Sequence, residues 1–294
     1  MIAHTICPLC SSAKTILYLR CSDHLLSRDV FDLCKCSDCG FVFTGEYPDE
    51  QSIGRYYRSD DYISHDDEAK GFLNRIYQIA RHVMLRRKVR MVEKATGITK
   101  GRILDIGCGT GHFAAAMEQN GWYVTGIEPN IKARNFASGQ FGLDVISPEQ
   151  VPGLPSGSFD CITMWHVLEH FHDPFGYAAE IKRLLKPGGL CLCALPNSNS
   201  FDAVHYKEYW AAYDVPRHLY HFSPASMQKL LSLHQMAAKE ILPMWFDSYY
   251  VSMLSEKYKG GNIISAFLQG ANSNIRAAGN RQRCSSLIYV IKTV

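Results

Sequence analysis

The chain has 294 residues, 47% hydrophobic and 20% charged, with a formal net charge of +3. This is an ordinary globular composition, enough for one large domain and a smaller appendage. No apolar run is long enough to span a bilayer as a helix, and the small charge gives no argument for nucleic acid.

The start, MIAHTICPLC, lacks the basic-then-apolar order of a signal peptide, so a cytoplasmic location is expected. Residues 1–45 read as a short β-leaning unit holding six of the eleven cysteines. Cys7-Pro-Leu-Cys10 and Cys36-Ser-Asp-Cys39 are two C-x-x-C turns a ribbon's length apart. Four thiolates so arranged predict a closed tetrahedral zinc site, structural because no coordination position stays open. Cys21 and Cys34 are nearby alternative ligands. Cys108, Cys161, Cys191, Cys193 and Cys284 mostly fall in apolar, strand-like runs and are expected to be buried thiols. A disulfide framework does not suit a reducing compartment.

Residues 46–98 read as a connector followed by an amphipathic helix over 71–96. Phe72, Ile76, Ile79, Val83, Val89 and Val92 recur near helical spacing. The opposite face carries Arg81, Arg86, Arg87, Lys88 and Arg90 and is expected to face solvent.

From residue 99 to 294 strands and helices alternate. RILDIG, YVTGIE, LDVIS, FDCITMW and LCLCALP read as strands. HFAAAMEQNG, IKARNFASGQF and DPFGYAAEIKRLLKPGG read as helices, the last stopping at Pro-Gly-Gly. The alternation predicts an α/β fold, a parallel sheet with helices on both faces. Residues 197–224 form an aromatic-rich segment expected to act as a lid over an acceptor. SPASMQKLLSLHQM reads as a helix, AKEILPMWF and SSLIYVIKTV as two last strands, and residues 252–284 as a polar, glycine-containing insertion.

Most of the chemistry lies in LDIGCGTGHF. A strand ends at Asp105, and Gly107, Gly109 and Gly111 turn into a helix, letting a ligand approach the backbone. The spacing is G-x-G-x-G, and an acid precedes the first glycine, which is awkward beside a pyrophosphate and favourable beside a cation. Glu128, ending the second strand, stands where an α/β nucleotide fold puts its ribose-binding acid. Ribose, positive charge and no phosphate describe S-adenosylmethionine (SAM).

RILDIGCGTGHF, GIEPN, FDCITMWHVLEHFHDP and LLKPGGLCLCALPN occur in order. Over about residues 100–196 they resemble the class I SAM-dependent methyltransferases. The ribbon, Tyr56-Tyr57, Tyr62 to His65 and DVPRHLYHFSP add a finer resemblance, to those with an N-terminal zinc motif in polysaccharide and deoxysugar contexts. The resemblance implies a Rossmann-like, seven-stranded, mostly parallel sheet with a reversed last strand, plus the small zinc ribbon. It implies SAM on Asp105, Gly107, Cys108, Gly109, Gly111, Phe113, Glu128 and Pro129. It puts the adenine near Ser147 to Gln150, where Glu149 is the candidate although the family's usual acid is missing. Trp165 and His166 would lie beside the sulfonium.

The acceptor's base is sought among His166, His170, His218 and His221. H-x-x-E-H at His166, Glu169 and His170 matches the inverted zinc-protease spacing, but a third ligand is lacking and the stretch falls at a strand end. His170 is expected to begin the following helix. Some quinone O-methyltransferases hold a divalent ion in this segment on carboxylates and a histidine; here His166 replaces the first acid. Tyr209, Trp210, Tyr213 and Tyr220 form either an aromatic wall for an acceptor or a core beneath the lid. The expected acceptor is a small molecule such as a sugar or nucleotide-sugar. An RNA methyltransferase and a non-catalytic SAM-binding protein are the alternatives.

Overall fold

The computed structural model describes residues 1–57 and 72–294, with side chains in the first helix described from Arg81 onward. The stretch from Tyr62 to His65 and the side chains of Phe72, Ile76 and Ile79 lie outside the described residues.

Five short strands build the N-terminal unit: β1 (Ile2–Ala3), β2 (Thr15–Ser22), β3 (Val30–Cys36), β4 (Val42–Thr44) and β5 (Glu46–Tyr47). β2, β3 and β4 form an antiparallel meander, and β1 pairs with β5. Helix α1 (Phe72–Thr96) leads into the larger sheet. It buries Val89 and Val92 in a cluster with Ile103, Phe113, Met117 and Trp122.

The alternating region begins with β6 (Arg102–Ile106), α2 (His112–Gln119), β7 (Tyr123–Ile127), α3 (Ile131–Phe141) and β8 (Asp144–Ile146). β9 (Phe159–Trp165), α4 (Pro174–Leu184) and β10 (Leu185–Pro196) follow. After α5 (Phe201–Tyr206) and β11 (Tyr220–His221) come α6 (Pro224–Leu233) and β12 (Met236–Met244). Two consecutive helices, α7 (Asp247–Lys259) and α8 (Ile263–Gly279), precede the last strand, β13 (Ser286–Thr293). No helix among the described residues is long and apolar enough to cross a membrane.

The seven-stranded sheet runs β12-β13-β10-β9-β6-β7-β8. β13 is antiparallel to both neighbours and the other pairs are parallel. Its central strands are apolar on both faces because helices cover both. Ile103, Leu104 and Ile106 of β6, Cys161, Ile162 and Met164 of β9, and Leu190 to Leu195 of β10 are all buried. The chain leaves β6 toward β7 and β8 on one side and returns to β9 and β10 on the other. The carboxyl ends of β6 and β9 therefore frame the switch point where such sheets bind ligands.

Four local expectations are revised. α4 stops at Leu184, and Lys186 to Gly189 are absorbed into β10 as an irregularity in its pairing with β9. His170 does not begin a helix: it ends a 3-10 turn, and α4 starts at Pro174 with the Asp173 side chain accepting from the Gly176 N–H. The stretch from 252 to 284 is mostly helical, because Gly260 at φ +80° caps α7 and the Asn262 side chain caps α8. The segment 197–224 contributes β11 to the N-terminal sheet, whose order is β11-β4-β3-β2. A two-residue strand is too short to carry a periodicity.

That junction is held by Arg217, 1% exposed. Its guanidinium donates to Asp23 of the N-terminal unit (2.8 Å), to Asp214 (2.7 Å) and to the Tyr56 carbonyl (3.0 Å). Arg217→Ala should leave the buried Asp23 carboxylate without its cation, destabilising the chain by roughly 3–5 kcal/mol. Urea denaturation measures the loss; an unchanged midpoint would refute it.

Candidate functional site

The loop after β6 is shaped by glycines at positive φ. At Gly107 (φ +71°) an added Cβ would meet Val167 at 2.5 Å, and at Gly111 (φ +80°) it would meet Ala137 and Leu143 at 2.8 Å. At Gly109 (φ +56°) it would meet nothing within 4 Å. The first and third glycines thus pack against protein, and the middle one faces open space. Cys108 lies beneath the loop, where Gly126 leaves room: a Cβ there would come within 2.7 Å of the Cys108 sulfur.

Two acids flank the opening. Asp105 is buried, and its Oδ1 accepts from the Thr163 hydroxyl at 2.7 Å, its register partner on β9. Burial pushes the Asp105 carboxyl up to about 7, against the opposing pull of Thr163 and Lys88. Glu128 accepts backbone N–H groups from Gly109 and Asn130, both at 2.9 Å, which fixes it at the end of β7. Phe113 meets Trp165 edge-on, ring centroids 5.4 Å apart. The Lys88 ammonium lies 4.2 Å from the Trp165 ring centroid. Lys88 therefore does not face solvent; Arg86, Arg87 and Arg90 of the same stripe are exposed. Burial lowers its pKa, and the nearby charges of Asp105 and Asp247 act against that. Pro129 and Glu149 are exposed, Glu149 on a 3-10 turn whose Ser147 and Gln150 cap one another.

The histidines divide into two settings. His166 sits at φ +59°, a left-handed position rare for a side-chain-bearing residue. Its Nδ1 lies 3.4 Å from Glu169 and its Nε2 3.2 Å from Asp247 of α7. Burial alone would lower its pKa, but the two carboxylates raise it to about 10. Glu169 is 1% exposed, and apart from that ion pair neither carboxylate oxygen has a hydrogen-bond partner among the described residues. Ligand-type atoms of Glu169, His170 and His218 lie within 4.8 Å of one another. Nδ1–H of His170 donates to the Arg217 carbonyl (3.1 Å), with the Tyr57 hydroxyl also at 3.1 Å. Nδ1–H of His218 donates to the Ala212 carbonyl (2.8 Å). Burial lowers His170 to about 4, with His218 adding to it, so its Nε2 stays unprotonated at neutral pH. His221 stands apart from this cluster. It is buried, bonded to the Thr44 hydroxyl (3.3 Å), and burial holds it neutral. Trp210, Tyr213 and Tyr220 are buried core residues, with the Trp210 indole donating to Asp202, so they form no exposed wall.

In the N-terminal unit Cys7, Cys10, Cys36 and Cys39 converge, their sulfurs within 4.8 Å of one another. Cys7 and Cys39 are 3.6 Å apart, as are Cys10 and Cys36. Zinc–sulfur bonds of about 2.3 Å in a tetrahedron space sulfurs by roughly 3.8 Å, so the cradle fits zinc. Burial alone would raise the Cys36 thiol, but the N–H groups of Cys39 and Asp38 and the neighbouring sulfurs bring it to about 7. Cys21 and Cys34 lie outside the cluster.

The methyltransferase-domain family matches residues 76–236, over half of the chain. The chain belongs to this family. A ubiquinone biosynthesis O-methyltransferase of Maricaulis maris is 34% identical over 130 residues, 41% of this chain and 51% of that protein. One of Psychrobacter cryohalolentis is 28% identical over 166 residues, 51% of this chain and 65% of that protein. The chain thus spans about half to two thirds of the length of these relatives. A SAM-dependent methyltransferase of Archaeoglobus fulgidus shares the fold: TM-score 0.50, 19% identity, 72% of this chain and 94% of that one.

At the carboxyl ends of β6 and β7 the methyltransferase domain thus brings together a glycine facing open space, a buried acid that titrates near neutrality and a second acid fixed by backbone N–H groups. Sequence reasoning missed Thr163, Lys88 and Asp247. Thr163, one polar residue in an apolar strand, was a readable signal. The other two depend on α1 and α7 crossing the sheet ends.

His166 carries a sign for stability. Its folded pKa is raised above the ordinary 6.5, so its ion pairs contribute fully below pH 6.5 and fade as pH rises through about 10. His166→Asn tolerates the left-handed backbone. The melting-temperature gap between wild type and this variant should be largest near pH 6 and close toward pH 10. A gap that is constant or widens with pH would refute the clamp.

Proposed function

We propose that the chain is a SAM-dependent methyltransferase acting on a hydroxyl of a small-molecule acceptor. The observation that carries this reading is the opening at Gly109 between Asp105 and Glu128, with an uncharged imidazole and a buried carboxylate beyond the end of β9. Bound SAM supplies a methyl group on a sulfonium, ready for in-line transfer. Asp105, whose charge the Thr163 hydroxyl stabilises, attracts the donor's cationic part. Glu128 accepts from ribose hydroxyls. Phe113 and Trp165 exclude water beside the reacting centre.

The acceptor's proton goes to Nε2 of His170. Its Nδ1–H is fixed by the Arg217 carbonyl, so the correct tautomer is in place beforehand. Glu169 offsets the imidazolium that forms, and His166, charged between Glu169 and Asp247, keeps that carboxylate ionised. O-methylation agrees with the names of the relatives. A sugar or nucleotide-sugar remains the acceptor class proposed from the sequence resemblance, although the buried aromatics remove one argument for it. The four-cysteine cradle would hold zinc as a staple for a unit with little core of its own.

Calorimetry with S-adenosylhomocysteine should give binding that Asp105→Ala and Glu128→Ala each weaken at least about tenfold. SAM affinity should fall as pH drops below about 7, the value to which burial raises Asp105. His170→Gln should lower kcat about 100-fold or more with little change in donor binding. No binding by wild type would end the cofactor reading; unchanged turnover in His170→Gln would end only the base assignment.

Metal analysis of the purified chain should find one zinc per chain, lost in Cys7→Ser. A second ion lost only in His218→Ala would instead assign the Glu169, His170 and His218 cluster to a cation.

A further inference from the structure

α8 is packed with its small residues inward. Ala266, Gly270, Ser273 and Ala277 form the buried side, at i, i+4, i+7 and i+11 along one face. An added Cβ at Gly270 would meet Tyr249 at 2.9 Å and the Ser248 carbonyl at 3.1 Å, so α7 and α8 approach closely. The large apolar residues point the other way. Ile263, Ile264, Phe267, Leu268 and Ile275 are between 63% and 74% exposed. Helices of globular proteins ordinarily turn such a stripe toward the core, and a contiguous exposed one marks an interaction site.

Charge identifies the partner. From Lys257 to Arg283 the sequence carries Lys257, Lys259, Arg276, Arg281 and Arg283, with no aspartate or glutamate. The lysines precede the apolar stripe, and Arg281 and Arg283 follow it. Arg276 and Arg283 stack on the Phe201 ring (5.7 and 4.3 Å), which anchors cations at the far end. A second copy meeting this face by two-fold symmetry would bring like charge against like charge. An anionic lipid surface satisfies both halves of the pattern, apolar side chains below the headgroups and cations at phosphate level.

We infer that α8 is an interfacial helix by which this chain docks on anionic membrane surfaces, lying in the plane of the headgroups. The inference is independent of the methyl-transfer reading.

Vesicle flotation of the full chain tests it. Binding to phosphatidylcholine doped with phosphatidylglycerol should be at least about tenfold tighter than to phosphatidylcholine alone, and should weaken with salt. Ile264→Ser combined with Leu268→Ser should lose binding about tenfold or more with an unchanged thermal melt, because both side chains are exposed, whereas Phe267 packs on the Tyr249 ring (5.2 Å) and is left in place. Lys259→Glu combined with Arg281→Glu should remove the preference for anionic lipid. Binding to neither vesicle, equal binding to both, or undiminished binding by either double variant overturns the proposal. A concentration-dependent dimer abolished by the serine pair also overturns it, assigning the face to a second copy.

Discussion

One buried cation fixes the arrangement of everything around the site. Arg217 directs its donors at three separate segments: Asp23 of the N-terminal unit, Asp214 of its own turn, and the Tyr56 carbonyl of the connector. Burying such a group is tolerable only if its hydrogen bonds are complete. Completing them requires the N-terminal unit to sit against the segment after β10. The Arg217 carbonyl then holds the His170 ring, and the Leu219 N–H donates to the Glu169 carbonyl at 2.8 Å. The histidine cluster is therefore positioned by the same residue that joins the two sheets.

The second constraint is charge balance at the carboxyl ends of β6 and β9. Lys88, Asp105, Asp247, His166 and Glu169 come from four different stretches of chain, and each is shifted by burial or by its neighbours. Burial alone would make each group shed its charge. Two carboxylates on His166 instead keep that ring charged, and Lys88 opposes the tendency of Asp105 to stay protonated. A cationic ligand entering beside Gly109 would meet an acid whose titration lies near neutrality, so modest changes in surroundings alter its charge.

The N-terminal unit packs into the same core as the larger sheet. Cys7, Leu9, Cys36, Phe41, Phe43 and Tyr47 belong to the same buried cluster as Leu219, Tyr220 and Phe222 and the central strands. Phe41 stacks on Tyr220 with ring centroids 6.0 Å apart. The four-cysteine turns fix the ends of the meander, and the aromatic layer attaches it to the larger domain. The residues of the 197–224 segment serve as the shared wall, which is why most of its aromatic rings are buried.

The alternating α/β pattern, the glycine loop between Asp105 and Glu128, and the two C-x-x-C turns were legible in the chain before any folding. Each of these is local: a period, a turn or a ligand spacing is written in consecutive residues. H-x-x-E-H was likewise visible as chemically dense, but the roles of its parts were not. Folding in three dimensions left His221 out of the cluster of Glu169, His170 and His218, turned Lys88 inward, and brought Asp247 to His166. It also made the stretch after 252 a helical pair, the second helix with its large apolar residues outward. These outcomes depend on which distant elements cross, and crossing is decided by packing and by the need to pair buried charge, neither of which leaves a periodic mark in the chain.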